Sequence, residues 1–388
     1  MTDQSKRNLH LILLGAAHSL NHSLFVITPP LLGLIMISLD VSKTEISLIS
    51  TVASFLYGAG ALLGGPLGDK IGEEKTISVC LVFSGLSTFV MLAAGIAKTI
   101  LMYAVGLILM SIWASLYHPS SNSLISKTSE GKVSETMGLH GVGGTLGVVL
   151  APTIAFLIGS AYGWPIAFAA FGVLCVLLGL ILLRVPTKAR EKATSGGTIF
   201  SAFKIRELRI LLVFNVAVGL FMKGVELFFP RFLTENRMVD AGWAAGALTL
   251  VLAVGVPAQW LGGKAADKIG SRKVLIVTST GVCVGLLSLL LLPIYMVGIA
   301  VFIVLYGLSF YAHQPALNSL TGFCCSPNQR GAVYGIFFFT SFGIGSVSQV
   351  ITGYVGDLYG LDAAFYILTA FAVTALLLSF KLPKKRQE

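Results

Sequence analysis

The sequence has few charged residues. Only 11% of its 388 residues are Asp, Glu, Lys or Arg, whereas soluble globular domains contain about 25%. At the same time 55% of the residues are hydrophobic, and the mean hydropathy is +0.86. Polar side chains are too few to cover a surface in water, which excludes a soluble globular protein. Such a chain is suited to lipid, where only helices and closed barrels satisfy the backbone hydrogen bonds.

The sequence also lacks the motifs of common catalytic and metal sites. It contains no phosphate-binding Walker loop, no zinc-ligand spacing and no nucleophile elbow. The glycine-rich stretch from Gly143 to Gly147 lies inside an apolar run, with no soluble domain behind it. The five cysteines lie within or beside apolar runs and show no paired spacing. We therefore predict no enzyme activity, no cofactor, no metal site and no disulfide.

Apolar runs of about 20 residues or more recur along the chain, which is the length of a membrane-spanning helix. We predict twelve spans, at 9–36, 44–66, 76–96, 100–126, 134–159, 164–184, 208–233, 240–262, 272–294, 297–323, 331–355 and 363–381. One long polar stretch separates the sixth span from the seventh. The sequence thus predicts an all-α membrane protein with one bundle at 1–184, a cytoplasmic linker at 185–207 and a second bundle at 208–388.

The positive charges are distributed unevenly among the loops. Lys43, Lys98 and Arg237 lie in one set of alternate loops, and Lys223 and Arg231 lie within a predicted helix. All the other Lys and Arg residues lie in the two termini, the linker or the opposite set of loops. Because positive loops stay in the cytoplasm, both termini are predicted to be cytoplasmic. The same pattern accounts for the net charge of +10 without a nucleic-acid partner.

A short charged turn with the pattern G-x-x-x-D-K-I-G occurs twice between apolar runs, and the second copy follows 198 residues after the first. The motif residues are Gly65, Asp69, Lys70 and Gly72 in the first copy, and Gly263, Asp267, Lys268, Gly270 and Arg272 in the second. The turn resembles the loop motif of the major facilitator superfamily, although Glu73 and Glu74 replace its usual basic residues. The resemblance implies twelve helices in two pseudo-symmetric six-helix bundles and transport by alternating access. We predict that each loop acts as a latch between two states; the alternative is that the Asp and Gly residues only shape the turn.

The two halves also share other segments. Tyr117-His118-Pro119 and the following Asn, Ser and Leu correspond to His313-Gln314-Pro315 and its Asn, Ser and Leu, 196 residues later. Tyr162-Gly163 corresponds to Tyr359-Gly360, with an offset of 197. Chance does not explain Pro, Asn, Ser and Gly all in register. The halves are therefore predicted to be parallel repeats, an arrangement in which transporters place a site between the two halves.

The predicted fifth helix carries a pattern of small residues. Gly138, Gly147, Ala151-Pro152 and Ala155 are similar to the antiporter signature of drug–proton exchangers, with Ala in place of two glycines. Together with His118-Pro119, this helix is similar to efflux proteins of the fosmidomycin-resistance type. The resemblance implies close helix packing and favours export of a small solute.

Polar residues within the spans are the candidates for the site, since a charge at the bilayer centre costs about 2.5–3.5 kcal/mol or more. The spacing of His18, Asn21 and His22 places them on one face of the first helix. Lys223 and Glu226 are three residues apart on the seventh helix, either as a functional pair or as a structural ion pair. We predict that substrate binding or proton coupling involves His18, Asn21, His22, His118, Lys223, Glu226, His313 and Gln314.

Within this set, Glu226 is the main candidate for proton coupling because it is the only acid placed in mid-membrane. His18 and His22 are the reserve, because histidine titrates near neutral pH. For His118 and His313 a packing role remains an equal alternative, and His140 is predicted to pack against a neighbouring helix.

The sequence therefore predicts a secondary transporter of the cell membrane, monomeric and multi-pass, that carries a small organic solute and is coupled to protons. Export is favoured over the alternative, proton-coupled uptake of an organic anion. A membrane receptor or scaffold without transport activity is a further alternative from a different class.

Overall fold

The computed structural model describes residues 3–128, 133–184, 205–325 and 330–383, and every regular element in these ranges is a helix. Before the predicted linker these are α1 (Asp3–Val26), α2 (Thr28–Leu39), α3 (Lys43–Ile71), α4 (Glu73–Ala97), α5 (Ile100–Ala114), α6 (Tyr117–Thr128), α7 (Val133–Tyr162) and α8 (Trp164–Leu182). After it come α9 (Arg206–Asn236), α10 (Ala241–Ile269), α11 (Ser271–Leu291), α12 (Tyr295–Phe323), α13 (Arg330–Phe338), a π-helical segment (Phe339–Ile344) and α14 (Val347–Ser379).

The prediction of one uninterrupted helix at 9–36 is wrong. The helix is interrupted at Ile27, between α1 and α2, and Pro29 and Pro30 lie in the first turn of the second helix. A proline ring cannot donate a backbone hydrogen bond and clashes with the preceding turn, so the first turn of a helix accommodates it at the least cost. The predicted fourth span is likewise divided into α5 and α6, immediately before His118 and Pro119.

Eleven helices in the described ranges are long and apolar enough to cross a membrane, and Thr28–Leu39 is a shorter apolar helix. The longest of the eleven, Ala332–Ser379, joins α13, the π-helical segment and α14 and covers most of the predicted eleventh and twelfth spans. It is interrupted at Gly360, whose backbone is not helical. The all-α membrane fold is thus confirmed, and exposed apolar side chains such as Leu177 and Val277 are suited to contact lipid.

The chain forms two compact units. Unit 1 comprises Met1–Val41 and Val52–Thr194, and unit 2 comprises Ser42–Thr51 and Ser195–Glu388. The first residues of α3 therefore group with unit 2, which the predicted bundle boundaries did not anticipate. Most of the predicted linker 185–207 lies outside the described residues.

The repeat is visible in the backbone of each unit. Gly72 and Gly163 have φ angles of +99° and +92° in unit 1, and the corresponding Gly270 and Gly360 have φ angles of +92° and +82° in unit 2. Glycine adopts positive φ without steric cost, whereas other residues do so rarely. A glycine with positive φ therefore occurs at matching positions of both halves.

In unit 1, α4 packs against α5 and α8, and α1 packs against α7. A buried cluster that includes Leu14, Cys80, Tyr117 and Leu178 joins α1, α4, α6 and α8. In unit 2, α9 packs against α14 and the π-helical segment, while α12 packs against α10 and α11. Two of the helices that carry candidate site residues, α1 and α9, are thereby packed against neighbours in their own unit.

Candidate functional site

Three histidine rings meet in unit 1. His18 and His22 lie one turn apart on α1, with ring centroids 4.7 Å apart. His118, at the start of α6, lies 5.2 Å from the ring of His18 and 5.0 Å from that of His22. The prediction that His18 and His22 are adjacent on α1 is visible in the geometry, and the fold adds His118 from a distant part of the sequence.

A fourth histidine extends this group. The ring of His140, on α7, stacks on that of His18 with a centroid distance of 4.1 Å and an interplanar angle of 11°. His18 also donates a hydrogen bond from Nδ1 to the backbone carbonyl of His140, at 2.8 Å. The sequence indicated only a packing role for His140 and left it out of the site. Its glycine-rich surroundings were the one signal that another helix approaches there.

Glycines on α7 make this approach possible. A Cβ atom on Gly144 would lie 2.5 Å from the ring of His18, and one on Gly147 would lie 2.1 Å from the backbone oxygen of Ser19. Gly147 belongs to the antiporter-like pattern, and Ala151 and Ala155 of that pattern are buried. Gly138, the first residue of the pattern, has no atom of another described helix within 4 Å of its Cβ position. The pattern therefore corresponds to close helix packing over part of its length.

Asn21 does not point into the histidine group. It is fully buried, its amide nitrogen donates to the carbonyl of Ala114 at 3.1 Å, and the same nitrogen lies 3.6 Å from the sulfur of Cys80. These contacts join α1 to α4 and α5. Spacing on the helix placed Asn21 beside the histidines, but its side chain lies in the packing interface next to them.

In unit 2 the main candidate feature is the pair on α9. Lys223 Nζ lies 2.7 Å from a carboxylate oxygen of Glu226, and the two side chains are 5% and 27% exposed. The ammonium group also lies 4.4 Å from the centroid of the Phe342 ring, a cation–π contact. The positive charge is therefore enclosed, while the carboxylate retains an accessible side.

A π-helical turn lies beside this pair. It runs from Phe339 to Ile344 and therefore contains Phe342. Asn215, on α9, donates to the carbonyl of Phe337 at 2.7 Å and to the hydroxyl of Thr340 at 2.8 Å. Single π-helical turns occur frequently at functional sites. The segment from Phe339 to Ile344 contains no proline and no unusual spacing, so the sequence did not indicate a π-helical turn there.

His313 and Gln314 differ from their unit 1 counterparts. The ring of His313 is buried and hydrogen-bonds the carbonyl of Phe310 in its own helix, and Gln314 is half-buried. At the offset of 196, His313 corresponds to Tyr117 and Gln314 to His118, so the residue that meets other histidines in unit 1 is matched by a glutamine in unit 2. This geometry favours the packing alternative for His313.

The two copies of the charged turn end α3 and α10. Gly72 and Gly270 have the positive φ angles noted above and precede α4 and α11. Asp267 and Lys268 are exposed in the second copy, as is Lys70 in the first, and Gly263 is half-buried on α10. Arg272 donates to the carbonyl of Phe380. The side chain of Asp69 and the surroundings of Gly65 lie outside the described part of the chain.

A polar cluster in unit 2 was not predicted from the sequence. Asp357, on α14, accepts hydrogen bonds from the backbone nitrogens of Lys43 and Thr44 at 3.1 and 2.7 Å, and so caps the start of α3. Lys43 also pairs with Glu235 at 3.3 Å, and Arg231 pairs with the same glutamate. Lys43 and its acidic partners are more than 190 residues apart along the chain, so that no local pattern could reveal them.

The sequence matches the family model described as Major Facilitator Superfamily over residues 11–350. It is 25% identical to the fosmidomycin resistance protein of Escherichia coli (strain K12), over 80% of this chain and 77% of that protein. It is also 25% identical to the multidrug resistance protein MdtG of Proteus mirabilis (strain HI4320), over 98% of both chains.

The fold is similar to the crystal structure of a bacterial homologue of the human lysosomal transporter Spinster. The TM-score is 0.80 at 16% sequence identity, and the match covers 97% of both chains. At this identity the likeness establishes the fold only. Because the family model spans most of the sequence and the helical architecture agrees with it, the chain belongs to the major facilitator superfamily of secondary transporters.

Proposed function

We propose that this protein is a proton-coupled secondary transporter that exports a small organic solute by alternating access. It acts as a monomer in the cell membrane, with both termini in the cytoplasm. Family membership supports a transport function, and the Lys223–Glu226 pair supports the proton coupling.

The pair can link proton binding to a change in charge. An isolated charge within a membrane span is costly, and Lys223 and Glu226 offset one another at 2.7 Å. When Glu226 binds a proton, the ammonium of Lys223 loses its ionic partner while it remains enclosed by Phe342. Protonation therefore changes the net charge of this region by one unit, which is the requirement for proton coupling.

The export direction is supported by the relatives. Two of them are named for resistance to drugs, and each matches most of this chain at 25% identity. The close approach of Gly147 to α1 corresponds to the small-residue pattern that is similar to drug–proton exchangers. The solute of those relatives is a property of those proteins, and here it supports only the class of small organic molecules.

The second candidate function is proton-coupled uptake of an organic anion, which the enclosed ammonium of Lys223 favours. Once Glu226 is protonated, Lys223 is available to pair with an anionic solute. The proton and the anion would then be bound at the same time and travel in the same direction. In the export function the solute and the proton instead occupy the protein alternately.

Purified protein in liposomes that contain a pH-sensitive dye separates these functions. When a panel of small organic solutes is added outside, exchange raises the lumenal pH, because protons leave as the solute enters. Uptake of a solute together with protons lowers it. If no member of the panel changes the pH or enters the vesicles, a receptor or scaffold replaces both candidates.

The matched variants are Glu226→Gln and Glu45→Gln. Glu226→Gln should abolish proton movement with the solute while solute binding is retained. Glu45 hydrogen-bonds Ser42 near the start of α3 and serves as the control that retains coupling. If Glu226→Gln still moves protons together with solute, the Lys223–Glu226 pair is structural, and His18→Ala and His22→Ala become the variants to test.

For the charged turns we propose a latch that alternates between two sets of contacts. Asp267 is exposed near the end of α10, where it is free to change partner. Asp267→Asn should lower the transport rate without changing the thermal stability. If transport is unchanged, the aspartate and glycines only shape the turn.

The orientation has its own test. Reporter fusions after Lys43, Lys98 and Arg237 should report an external location, because these residues belong to the set of loops that contains few Lys and Arg residues. A cytoplasmic report at these three positions would reverse the proposed topology.

A further inference from the structure

We infer that His18, His22 and His118 form a binding site for a divalent transition-metal ion of the kind that imidazole binds, with Zn²⁺ as the probe. Each residue offers one ring nitrogen, and the three nitrogens lie within 4.8 Å of one another. The sequence predicted no metal site because the ligands follow no known spacing: the third lies about a hundred residues beyond the first two. The inference concerns binding and does not depend on the direction or coupling of transport.

The spacing on α1 is suited to a metal. Two histidines four residues apart on one helix face can bind the same ion, as in the helical zinc motif H-E-x-x-H. The ring centroids of His18 and His22 are 4.7 Å apart, and that of His118 lies at 5.0–5.2 Å from both. The third ligand thus comes from a separate helix, and the three ring centroids form a nearly equilateral triangle.

The hydrogen bond of His18 leaves the correct nitrogen available. A carbonyl oxygen can only accept, so the Nδ1 atom that contacts the His140 carbonyl at 2.8 Å carries the proton. In the neutral ring the lone pair is therefore on Nε2. Within the described ranges this Nε2 is buried and has no hydrogen-bond partner. A backbone carbonyl that orients the far side of the ring is the usual support of a metal-bound histidine.

The ring of His18 is also fixed in position. His140 stacks on one side of it at 4.1 Å, and Gly144 leaves no space for a side chain on α7. A ligand that is already oriented loses little conformational entropy when an ion binds. His22 and His118 are half-buried, so the two remaining ligands can adjust.

The adjustment required is small. Zinc binds imidazole nitrogens at about 2.0–2.1 Å in tetrahedral geometry, which places pairs of nitrogens about 3.4 Å apart. Because the three nitrogens lie within 4.8 Å of one another, each pair must shorten by at most about 1.4 Å, which is within reach of side-chain rotation at His22 and His118. Three imidazole ligands leave a fourth position for water, and a zinc-bound water loses a proton easily and so lowers the charge of the site.

The ligand type selects the ion. Imidazole suits zinc, copper and nickel, whereas magnesium and calcium require oxygen ligands. The three ligand atoms are all nitrogens. The site should therefore bind Zn²⁺ and reject Mg²⁺.

The test is zinc titration of the purified full-length protein in detergent, with an affinity tag that contains no histidine and a competing fluorescent chelator. We expect one Zn²⁺ per chain, and no competition by a hundredfold excess of Mg²⁺. His18→Ala, His22→Ala and His118→Ala should each weaken binding by at least about tenfold, since loss of even an outer-shell partner costs about 10–100-fold. His10→Ala, a histidine of the same helix outside the group, should bind zinc as the unmodified protein does.

Zinc binding that survives all three substitutions, or that is lost equally in His10→Ala, would overturn the inference. The absence of stoichiometric binding would do the same. If the three variants fail to fold, X-ray absorption of the zinc-loaded unmodified protein decides. Three imidazole nitrogens at about 2.0–2.1 Å support the site, and a shell with fewer imidazoles contradicts it.

Discussion

The two units carry a polar residue at the same position of the repeat, and both use it to donate a hydrogen bond to a backbone carbonyl, but the donor group differs. In unit 1, His18 Nδ1 donates to the carbonyl of His140, and in unit 2, Asn215 donates to the carbonyl of Phe337. Both residues of the second bond lie 197 positions after those of the first. The same hydrogen bond therefore joins α1 to α7 in unit 1 and α9 to α13 in unit 2. The donor is an imidazole in unit 1 and an amide in unit 2.

This change of donor has consequences for the chemistry of each unit. An imidazole that uses Nδ1 for the backbone keeps a second nitrogen for a proton or a metal. The Asn215 amide makes its second bond to Thr340, and unit 2 carries its functional charges further along the same helix, at Lys223 and Glu226. Unit 1 thus concentrates imidazole rings, and unit 2 a pair of opposite charges.

The largest effect on stability is expected at the charged pair. Lys223→Met leaves Glu226 without its ionic partner; removal of one member of a buried pair costs about 3–5 kcal/mol, and the lower end applies here because Glu226 is 27% exposed. The thermal unfolding midpoint, measured in detergent at a fixed scan rate, should fall further than it does after Gly144→Ala in unit 1.

The matched control is Lys223→Met combined with Glu226→Gln, which removes both charges and should recover most of the loss. If the double variant is as unstable as Lys223→Met, packing of the lysine stem on Phe342 rather than charge pairing stabilises unit 2.

The second effect belongs to unit 1 alone. In Gly144→Ala the new Cβ would lie 2.5 Å from the His18 ring, which His140 and a hydrogen bond hold in place. Overpacking of this kind costs about 2 kcal/mol. The comparison is with Gly141→Ala, on the same helix, where no atom of another helix in the described part of the chain lies within 4 Å of the new atom. Equal unfolding midpoints for the two variants would mean that α7 is loosely packed against the ring of His18.

The third prediction tests how far the halves are alike. Gly72→Ala and Gly270→Ala each place a side chain at positive φ, where no described residue beyond the adjacent backbone lies within 4 Å of the Cβ position. Backbone strain is then the main penalty, about 1–3 kcal/mol at each site because the ψ angles are 144° and 139°. The two variants should lose similar stability in thermal unfolding, and a large difference would show that only one of the turns is needed for folding.

The smallest effect is expected from exchanging the donors. His18→Asn introduces into unit 1 the amide that unit 2 uses, and a retained hydrogen bond to His140 limits the change in stability to less than about 1 kcal/mol. Zinc binding should nevertheless be lost. His18→Ala, which removes the donor altogether, is the comparison and should be less stable. If His18→Asn and His18→Ala unfold at the same temperature, the hydrogen bond contributes little to unit 1.

Some features of the site could be predicted from the sequence because they depend on residues close together in the chain. The i, i+4 spacing of His18 and His22 and the i, i+3 spacing of Lys223 and Glu226 determine which side chains are neighbours on a helix. The structure has both pairs in contact. Asn21 obeyed the same spacing but found partners in Cys80 and Ala114, because packing with other helices decides which neighbours a face meets.

Other features could not be predicted, since their partners are far apart in the sequence. His118 and His140 reach His18 from α6 and α7, and Asp357 reaches the start of α3 across 314 residues. No periodicity reports such contacts. The break at Ile27 was missed for a different reason: the apolar run is continuous, and only the prolines after the break signalled a new helix.

By itself the sequence determined the class of fold, the twofold repeat and the family motif. These follow from apolar run lengths, from glycine and proline positions and from the number of charges, all of which are properties of the chain before it folds. Only the tertiary structure decided that three histidines converge, that Lys223 is enclosed by Phe342, and that a π-helical turn lies beside it. The physical reason is that helix packing is set by close contacts of glycines and small side chains on separate helices, and these contacts depend on the arrangement of all the helices in a unit together.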